Sequence, residues 1–469
     1  MSLTTTQVSA LTTTVLVALT TTQLQQFSAI ELGYLNTTQV TNLTTTQVNA
    51  LSTNQIKGLN STFMASLSTT QVASISTSEL NQLASSQLRA LGTTAFRAMS
   101  TTQIGSLAAD KLASLAGTQF SSLGTTILQS LSTVTLRGLS TAQVAAMTTT
   151  AFTSLTTTQV LALSGTQLFY LSSSNFSRLS TTIMNTLNTT QLKGLSTSEM
   201  VNIAHTQLLA IDPGAIPAFL VNQLRYVTTT NIALLTTAQL GGLTAYQIGG
   251  LTAQQVGAVP GGNLFQLATT QLASLKPTQI AALTTTSVTA MTSTQIGLLT
   301  ATQLKGFSGT QLAVLSTRQI AGISQTRIAG LSSQQLVQFT TSVISSLTTV
   351  QFAGLNRSQL MALTTSQIAS LKTVQIDVLK PTQVQAFSTR QVTALDTTQL
   401  LALTTTAIAA LRPTQMAGLN STDITTFTTT QVAAFIVQDL KAMNSLQKGA
   451  FTSSQIAAMS TAQVAAITG

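Results

Sequence analysis

The sequence predicts an all-α, elongated superhelical solenoid of very short capped helices, one for each eight-residue repeat. Three observations predict it. Every eighth residue from Leu3 to Ile467, 59 positions in all, is Leu, Ile, Val, Met or Phe. A second apolar column runs through the same repeats, and the residues between the two columns are those that begin helices. A short repeat held without insertion is typical of an array in which each unit packs on its neighbours.

The repeat, here called the octad, has places one to eight and reads Leu-Ser/Thr-Thr-Thr-Gln-Val/Ile/Leu-x-Ala/Gly, as in residues 3–10. Place six is apolar from Val8 to Val464 except at Lys448, so it is nearly as strict as place one. The two apolar places are separated by five residues and then by three. A strand of period two cannot put both on one face, whereas three is a helical neighbour spacing.

The polar half of the octad predicts where each helix begins. Place two is mostly Ser, Thr, Asn or Asp, and place five is Gln in 37 of its 58 occurrences. These residues form a capping box, and places one and six then form a hydrophobic staple. Four of the six prolines stand at place three, the first helical residue, where a missing N–H costs nothing: Pro213, Pro277, Pro381 and Pro413. The small residue at place eight is expected to close the helix.

A helix of about 10 Å is too short to be stable alone, so the octads must pack on one another. We expect places one and six to point inward and the small place eight to let backbones approach closely. Two intervals bear on the number of octads per turn. Place-five residues other than Gln recur 32 residues apart, as at Phe63, Ala95 and Ile127, and place-eight glycines recur 56 apart, from Gly138 to Gly306. The 32-residue interval suggests four octads per superhelical turn, and three to four octads per turn would fit both intervals.

The structural alternative is a β-solenoid, because Thr, Val and Ile favour strands. The capping box, the prolines at place three and the helix-favouring Gln, Leu, Ala and Met argue for helices instead. No composition shift, linker or charge run divides the chain. We therefore predict one continuous octad array over residues 1–469.

Charged residues make up only 6% of the chain, so the outer surface is expected to consist of Thr, Ser, Gln and Asn. The net charge is nevertheless +10, with a pI near 10.3. Many basic residues stand at place seven, among them Lys57, Arg89, Lys193 and Lys441, far apart and without interleaved exposed aromatics. This pattern argues against a phosphate-tracking groove and hence against a nucleic-acid partner.

Few residues could carry chemistry. The chain has no cysteine and one histidine, His205, at an outward place without neighbouring ligands. Its nine acidic residues are dispersed, and Asp212 and Asp396 stand at place two, where they are better explained as helix caps. We expect no catalytic, cofactor or metal site, no small-molecule substrate and no enzymatic activity. The N-terminus lacks a usual secretory signal, and no apolar run approaches the length of a transmembrane helix.

Three stretches depart from the consensus. Pro217 at place seven is expected to end its helix early, residues 259–263 lose the Thr-rich half, and Lys448 replaces an apolar anchor. Both chain ends are in phase with the repeat and lack a polar cap. We expect either a fragment of a longer array or head-to-tail stacking of subunits, which generates filaments when the contacts do not close.

Tandem units such as Leu395-Asp396-Thr397-Thr398-Gln399-Leu400 resemble the repeats of very long surface or secreted adhesin-like proteins of Gram-negative bacteria. The resemblance covers the whole chain. It implies an extracellular or cell-surface location, although no export signal is visible, and contacts with a cell surface or glycans. The same opening is similar to the short capped helix of the much longer DNA-reading repeats of plant-pathogen effectors, but their base-reading loop has no counterpart here.

Together these observations predict a non-enzymatic structural protein that assembles end to end into a filament or forms the stalk of a surface appendage. One alternative is an adhesin-like binding surface, in which ranks of Thr hydroxyls meet glycan, ice or mineral. The other is a basic scaffold for nucleic acid. Replacing Leu299 or Ile296 with Asp is expected to disrupt local stacking, because both should lie inside.

Overall fold

Short helices make up all the regular structure of the chain. The computed structural model describes residues 3–264 and 266–469, which contain 57 α-helices, one 3-10 helix and no strand. The predicted all-α class is confirmed, and the β-solenoid alternative is wrong. The helices fall into two compact units, Met1–Val227 and Thr228–Gly469, which are described separately. The single continuous array over residues 1–469 stays a prediction.

The first unit contains one helix per octad, separated by two to four residues. Its α-helices are Thr5–Ser9, Thr13–Ala18, Thr21–Leu24, Ala29–Leu32, Thr37–Asn42, Thr45–Asn49, Thr53–Gly58, Ser61–Ser66, Thr69–Ser74, Thr77–Gln82, Ser85–Ala90, Thr93–Phe96, Thr101–Ser106, Ala109–Ser114, Gly117–Ser121, Thr125–Ser130, Thr133–Gly138, Thr141–Ala145, Thr149–Thr153, Thr157–Leu161, Gly165–Phe169, Ser173–Phe176, Thr181–Thr186, Thr189–Gly194, Thr197–Asn202, His205–Ala210 and Val221–Tyr226. The 3-10 helix Pro213–Ala218 precedes the last of these.

The second unit repeats the same element. Its α-helices are Thr229–Ala233, Thr237–Gly242, Ala245–Gly250, Ala253–Ala258, Gly261–Leu264, Thr269–Ala273, Pro277–Ala281, Thr285–Ala290, Ser293–Leu298, Ala301–Leu304, Gly309–Ala313, Thr317–Ala321, Gln325–Ala329, Ser333–Leu336, Thr341–Ser346, Thr349–Ala353, Arg357–Ala362, Thr365–Ala369, Thr373–Asp377, Pro381–Val384, Thr389–Thr393, Thr397–Leu401, Thr405–Ile408, Pro413–Met416, Ser421–Thr426, Thr429–Ala434, Val437–Ala442, Ser445–Gly449, Ser453–Ala457 and Thr461–Thr468.

Each helix begins at place three, and in most octads the side chain at place two caps it. In the octad of residues 43–50, the Thr44 hydroxyl accepts from the backbone N–H of Gln47 at 3.1 Å, and the Gln47 Oε1 accepts from the N–H of Thr44 at 2.9 Å. Both halves of the predicted capping box are therefore present. Pro277, Pro381 and Pro413 occupy the first helical position, as predicted.

Many helices end where the next place-one residue turns extended, and most of the others end one or two residues earlier. Leu19 has φ −63° and ψ 133°, and its N–H donates to the carbonyl of Leu16 at 3.2 Å. No described residue has a positive φ, so the chain passes from helix to helix without a left-handed turn. The remaining carbonyls at each helix C-terminus find no partner within their own octad and need donors from elsewhere.

Within each unit, a helix packs on the helix three octads further along the chain. Examples are Gly165–Phe169 on Thr189–Gly194 in the first unit and Ser293–Leu298 on Thr317–Ala321 in the second. A Cβ on Gly194 would lie 2.2 Å from the Gly165 carbonyl oxygen, so these two backbones are in direct contact. The small residue at place eight thus permits the close approach that the sequence predicted.

The core of each unit is lined by places one and six. Place one is buried from Leu35 to Met459, and place six is buried from Val8 to Leu440 in every described octad. The inward orientation of both columns is confirmed. Leu299 and Ile296 are each 0% exposed.

The proline-rich octad differs from the prediction. We expected Pro217 to end its helix early, but the element continues to Ala218 as a 3-10 helix. The tighter 3-10 winding tolerates this proline because its bonds join residues three apart. Ile216 and Ala218 stay buried, so the octad keeps its place in the core.

Candidate functional site

The glutamine at place five forms a bridge between successive superhelical turns. Gln143 is 0% exposed, and its Oε1 accepts from the capping residue's N–H at Ser140, 2.9 Å away. Its Nε2 donates to the carbonyls of Leu112 at 2.6 Å and Leu115 at 3.2 Å. These carbonyls lie at the C-terminus of a helix four octads earlier and at the residue that opens the following octad. One amide thus satisfies a helix N-terminus and a helix C-terminus together.

The same bridge recurs through both units. Every place-five glutamine from Gln39 to Gln223 and from Gln303 to Gln463, together with Gln271 and Gln279, donates from Nε2 to the place-one carbonyl 28 residues earlier. Most donate a second time, to a carbonyl 30 or 31 residues earlier. Together with packing between helices three octads apart, this register places three to four octads in each turn, as predicted.

The predicted location of these glutamines is wrong. We expected Gln on the outer surface beside Thr and Ser, but most of the place-five glutamines are buried, as at Gln239 and Gln415, which are 1% and 0% exposed. The sequence carried a signal for this. Glu closes a capping box as well as Gln does, yet Glu occurs at place five only three times. The preference for an amide indicates that the side chain must also donate.

Other donors replace glutamine and reach the same carbonyls. Asn175 donates from Nδ2 to the Met147 carbonyl at 2.9 Å, although its shorter side chain leaves Oδ1 without a partner. Lys111 donates from Nζ to the carbonyl of Leu83, 28 residues earlier. In these octads a neutral or a cationic donor at place five keeps the bond to the place-one carbonyl.

Four acidic residues at place five have shifted pKa values. Burial raises the pKa of Glu199 to about 7 and that of Asp439 to about 6, and it also raises the pKa of Asp423. Glu31 differs, because hydrogen bonds from Ser28 lower its pKa. Its carboxylate also accepts from the N–H of Leu3.

The residues considered as chemical candidates are dispersed. Asp212 and Asp396 cap helices, accepting from the N–H of Gly214 at 2.6 Å and of Gln399 at 2.8 Å, as predicted. His205 is half-buried with an enclosed, unpartnered Nδ1, where an exposed residue was expected. Among the described residues, no three His, Asp or Glu side chains are grouped to hold a metal ion.

The place-seven basic residues lie on the outside, as predicted. The following are all exposed: Lys57, Arg89, Arg97, Arg137, Lys193, Arg225, Lys305 and Lys441. Arg357 and Lys380 stand closer together and line one open groove with Asn356 and Gln385. In residues 3–264 and 266–469, no helix combines the length and hydropathy of a membrane span.

Comparison with known families finds a similarity to one repeat type. A family model described as the ALTTAQ repeat matches residues 352–389, 368–405 and 437–468, all within the second unit. No curated protein matches the chain. The chain is thus similar to a known repeat type over these residues, and this similarity supports a repeat array.

Proposed function

We propose that this chain is a non-enzymatic structural protein, located outside a bacterial cell, that assembles end to end into a filament or forms the stalk of a surface appendage. The glutamine bridge is the observation that carries the proposal. The same amide joins each turn to the one before it, so an array of this kind grows by adding octads without changing the bonds between turns.

The bridge favours a structural role because it is distributed evenly. In an enzyme or a specific receptor, a few residues with special surroundings carry the function. Here the buried polar residues repeat one arrangement in both units, and the departures at place five are single substitutions within it. Such a chain distributes load over many equivalent contacts, as a spacer or fibre requires.

The surface chemistry fits association between like molecules. Only 6% of residues are charged, and the net charge of +10 is spread over 469 residues, so the hydroxyl-rich exterior has a low charge density. The proposed location outside a bacterial cell rests on the resemblance of the octads to repeats of surface and secreted proteins. The match to the ALTTAQ repeat supports the array itself.

Electron microscopy of the purified chain tests the filament. We expect fibres with a helical repeat that lengthen with protein concentration, whereas dispersed short particles at all concentrations would contradict end-to-end assembly. Ile467, a place-one residue that is only half-buried, supplies a variant. Ile467→Asp should shorten or abolish the fibres. Val350→Asp, at a side chain 61% exposed, is the matched control and should leave them intact.

A further inference from the structure

Glu199 occupies the position of a bridging glutamine but lacks the donor that the position requires. It stands at place five of the octad 195–202 and is 1% exposed. Its Oε2 accepts from the N–H of Ser196, and the Ser196 hydroxyl accepts from the Glu199 N–H at 3.2 Å. The capping half of the glutamine arrangement is therefore preserved.

The half of the glutamine arrangement that donates to the preceding turn is not preserved. Glu and Gln have the same shape, so with Oε2 in the place of the amide oxygen, Oε1 takes the place of Nε2. In the register of the neighbouring octads, that atom meets the carbonyls 28 and 31 residues earlier, which here belong to Leu171 and Leu168. A carboxylate oxygen cannot donate to them, and Glu199 Oε1 is buried without a partner.

We propose that Glu199 is a pH-operated link within the first unit. As a neutral acid it donates its one O–H to a carbonyl of the preceding turn and restores one of the bonds that glutamine makes there. As a carboxylate it faces those carbonyls with a negative charge, and the link from helix Thr197–Asn202 to the carbonyls of Leu168 and Leu171 is released. The preceding turn then loses the bond that joins it to this octad.

The surroundings supply no charge that offsets ionisation. The elements packed against helix Thr197–Asn202 or adjacent to it in the chain carry these titratable or charged groups: Tyr170, Arg178, Lys193, His205, Arg225 and Tyr226. None of them shifts the pKa of Glu199, which is raised by desolvation and opposed only by the hydrogen bonds to Ser196. Burial therefore determines the pKa of Glu199, and we expect the midpoint of its titration near pH 7.

Carboxyl NMR tests the link directly, because the chain has only three glutamates, Glu31, Glu79 and Glu199. Glutamate labelled with 13C at the carboxyl carbon gives three signals, and the one lost in Glu199→Gln is assigned to Glu199. We expect that signal to titrate near pH 7. A midpoint between about 4 and 5, the range of an unperturbed glutamate, would overturn the proposal.

A stability comparison gives an independent readout. A raised pKa in the folded state means that stability is complete below the unfolded-state value of about 4.5 and is lost as the pH rises to about 7. Glu199→Gln should therefore gain stability over the natural chain across this window, on the order of 10²-fold in the unfolding equilibrium at pH 8. Glu31→Gln is the control and should show no such gain. Equal pH profiles for Glu199→Gln and the natural chain would overturn the proposal.

Discussion

At the scale of single residues, the place-five side chain decides whether a turn is bonded to its neighbour. Glutamine suits the place because one amide supplies an acceptor for the capping N–H and donors for two carbonyls. Asn175 shows the effect of a shorter side chain, since it keeps one donated bond and leaves its oxygen unpartnered. Glu199 shows the effect of a hydrogen-bond acceptor at a site that needs a donor.

Replacing one bridging glutamine with alanine measures the contribution of its bridge to stability. Gln143→Ala removes the bond from Ser140 and both bonds to the preceding turn, and it leaves buried backbone groups unpaired. We expect a loss of about 3 kcal/mol in the free energy of unfolding, measured by urea denaturation. Gln23→Ala is the matched control, because the exposed Gln23 bonds within its own octad. Its loss should be about 1 kcal/mol, and equal losses would contradict the bridge.

The residue scale also shows what the sequence could not predict. The capping role of Gln was readable because the Ser or Thr partner lies three residues away in the same octad. Its second role depends on carbonyls 28 to 31 residues earlier, and which carbonyls those are depends on how many octads complete a turn. The number of octads per turn follows from packing between helices. The pattern within one octad carries little information about this packing. Only the scarcity of Glu at place five pointed to a donor.

At the scale of the element, each helix is fixed at both ends rather than by its length. An isolated helix of four to six residues does not persist in water. Here the cap satisfies the first N–H groups, the staple buries places one and six, and the next turn's glutamine satisfies the last carbonyls. The helix starts were therefore predictable from local residues. The 3-10 form of Pro213–Ala218 was not predictable in this way. The buried residues at places one and six hold this octad in position despite Pro217.

Close contact between helices predicts opposite effects for two glycines. Gly194→Ala should separate helices Gly165–Phe169 and Thr189–Gly194, since the added Cβ would lie 2.2 Å from the Gly165 oxygen. We expect a loss of at least about 2 kcal/mol, seen as a lower thermal midpoint. Gly105→Ala is the control, with nothing within 4 Å of the added carbon. It should be neutral or stabilise by up to about 1 kcal/mol. A neutral Gly194→Ala would contradict the contact.

At the scale of the whole molecule, the two apolar columns made the fold class predictable, because only a helical unit puts spacings of five and three on one face. The function was less accessible. The residues that would set a partner are ordinary surface Thr and Ser, which do not indicate one class of ligand. Location and assembly therefore rest on resemblance and on the regular bonding between turns.

Repeat arrays predict that damage stays local. Leu299→Asp places a carboxylate at a site that is 0% exposed, which should cost about 4 kcal/mol or more. Because each helix contacts only nearby turns, amide exchange should accelerate within about one superhelical turn of residue 299 and stay unchanged farther away. Leu298→Asp, at a side chain 41% exposed, is the control and should change little. Uniform acceleration across the second unit would contradict a nearest-neighbour array.

The central claim is that eight-residue capped helices are joined from turn to turn by the place-five amide. An electron-density map of the crystallised protein, detailed enough to orient side-chain amides, tests it most directly. The account predicts the Gln143 amide nitrogen within hydrogen-bond distance of the Leu112 and Leu115 carbonyls, with the same arrangement at the other bridging glutamines. Extended strands in place of the helices, or place-five amides turned into solvent, would contradict it.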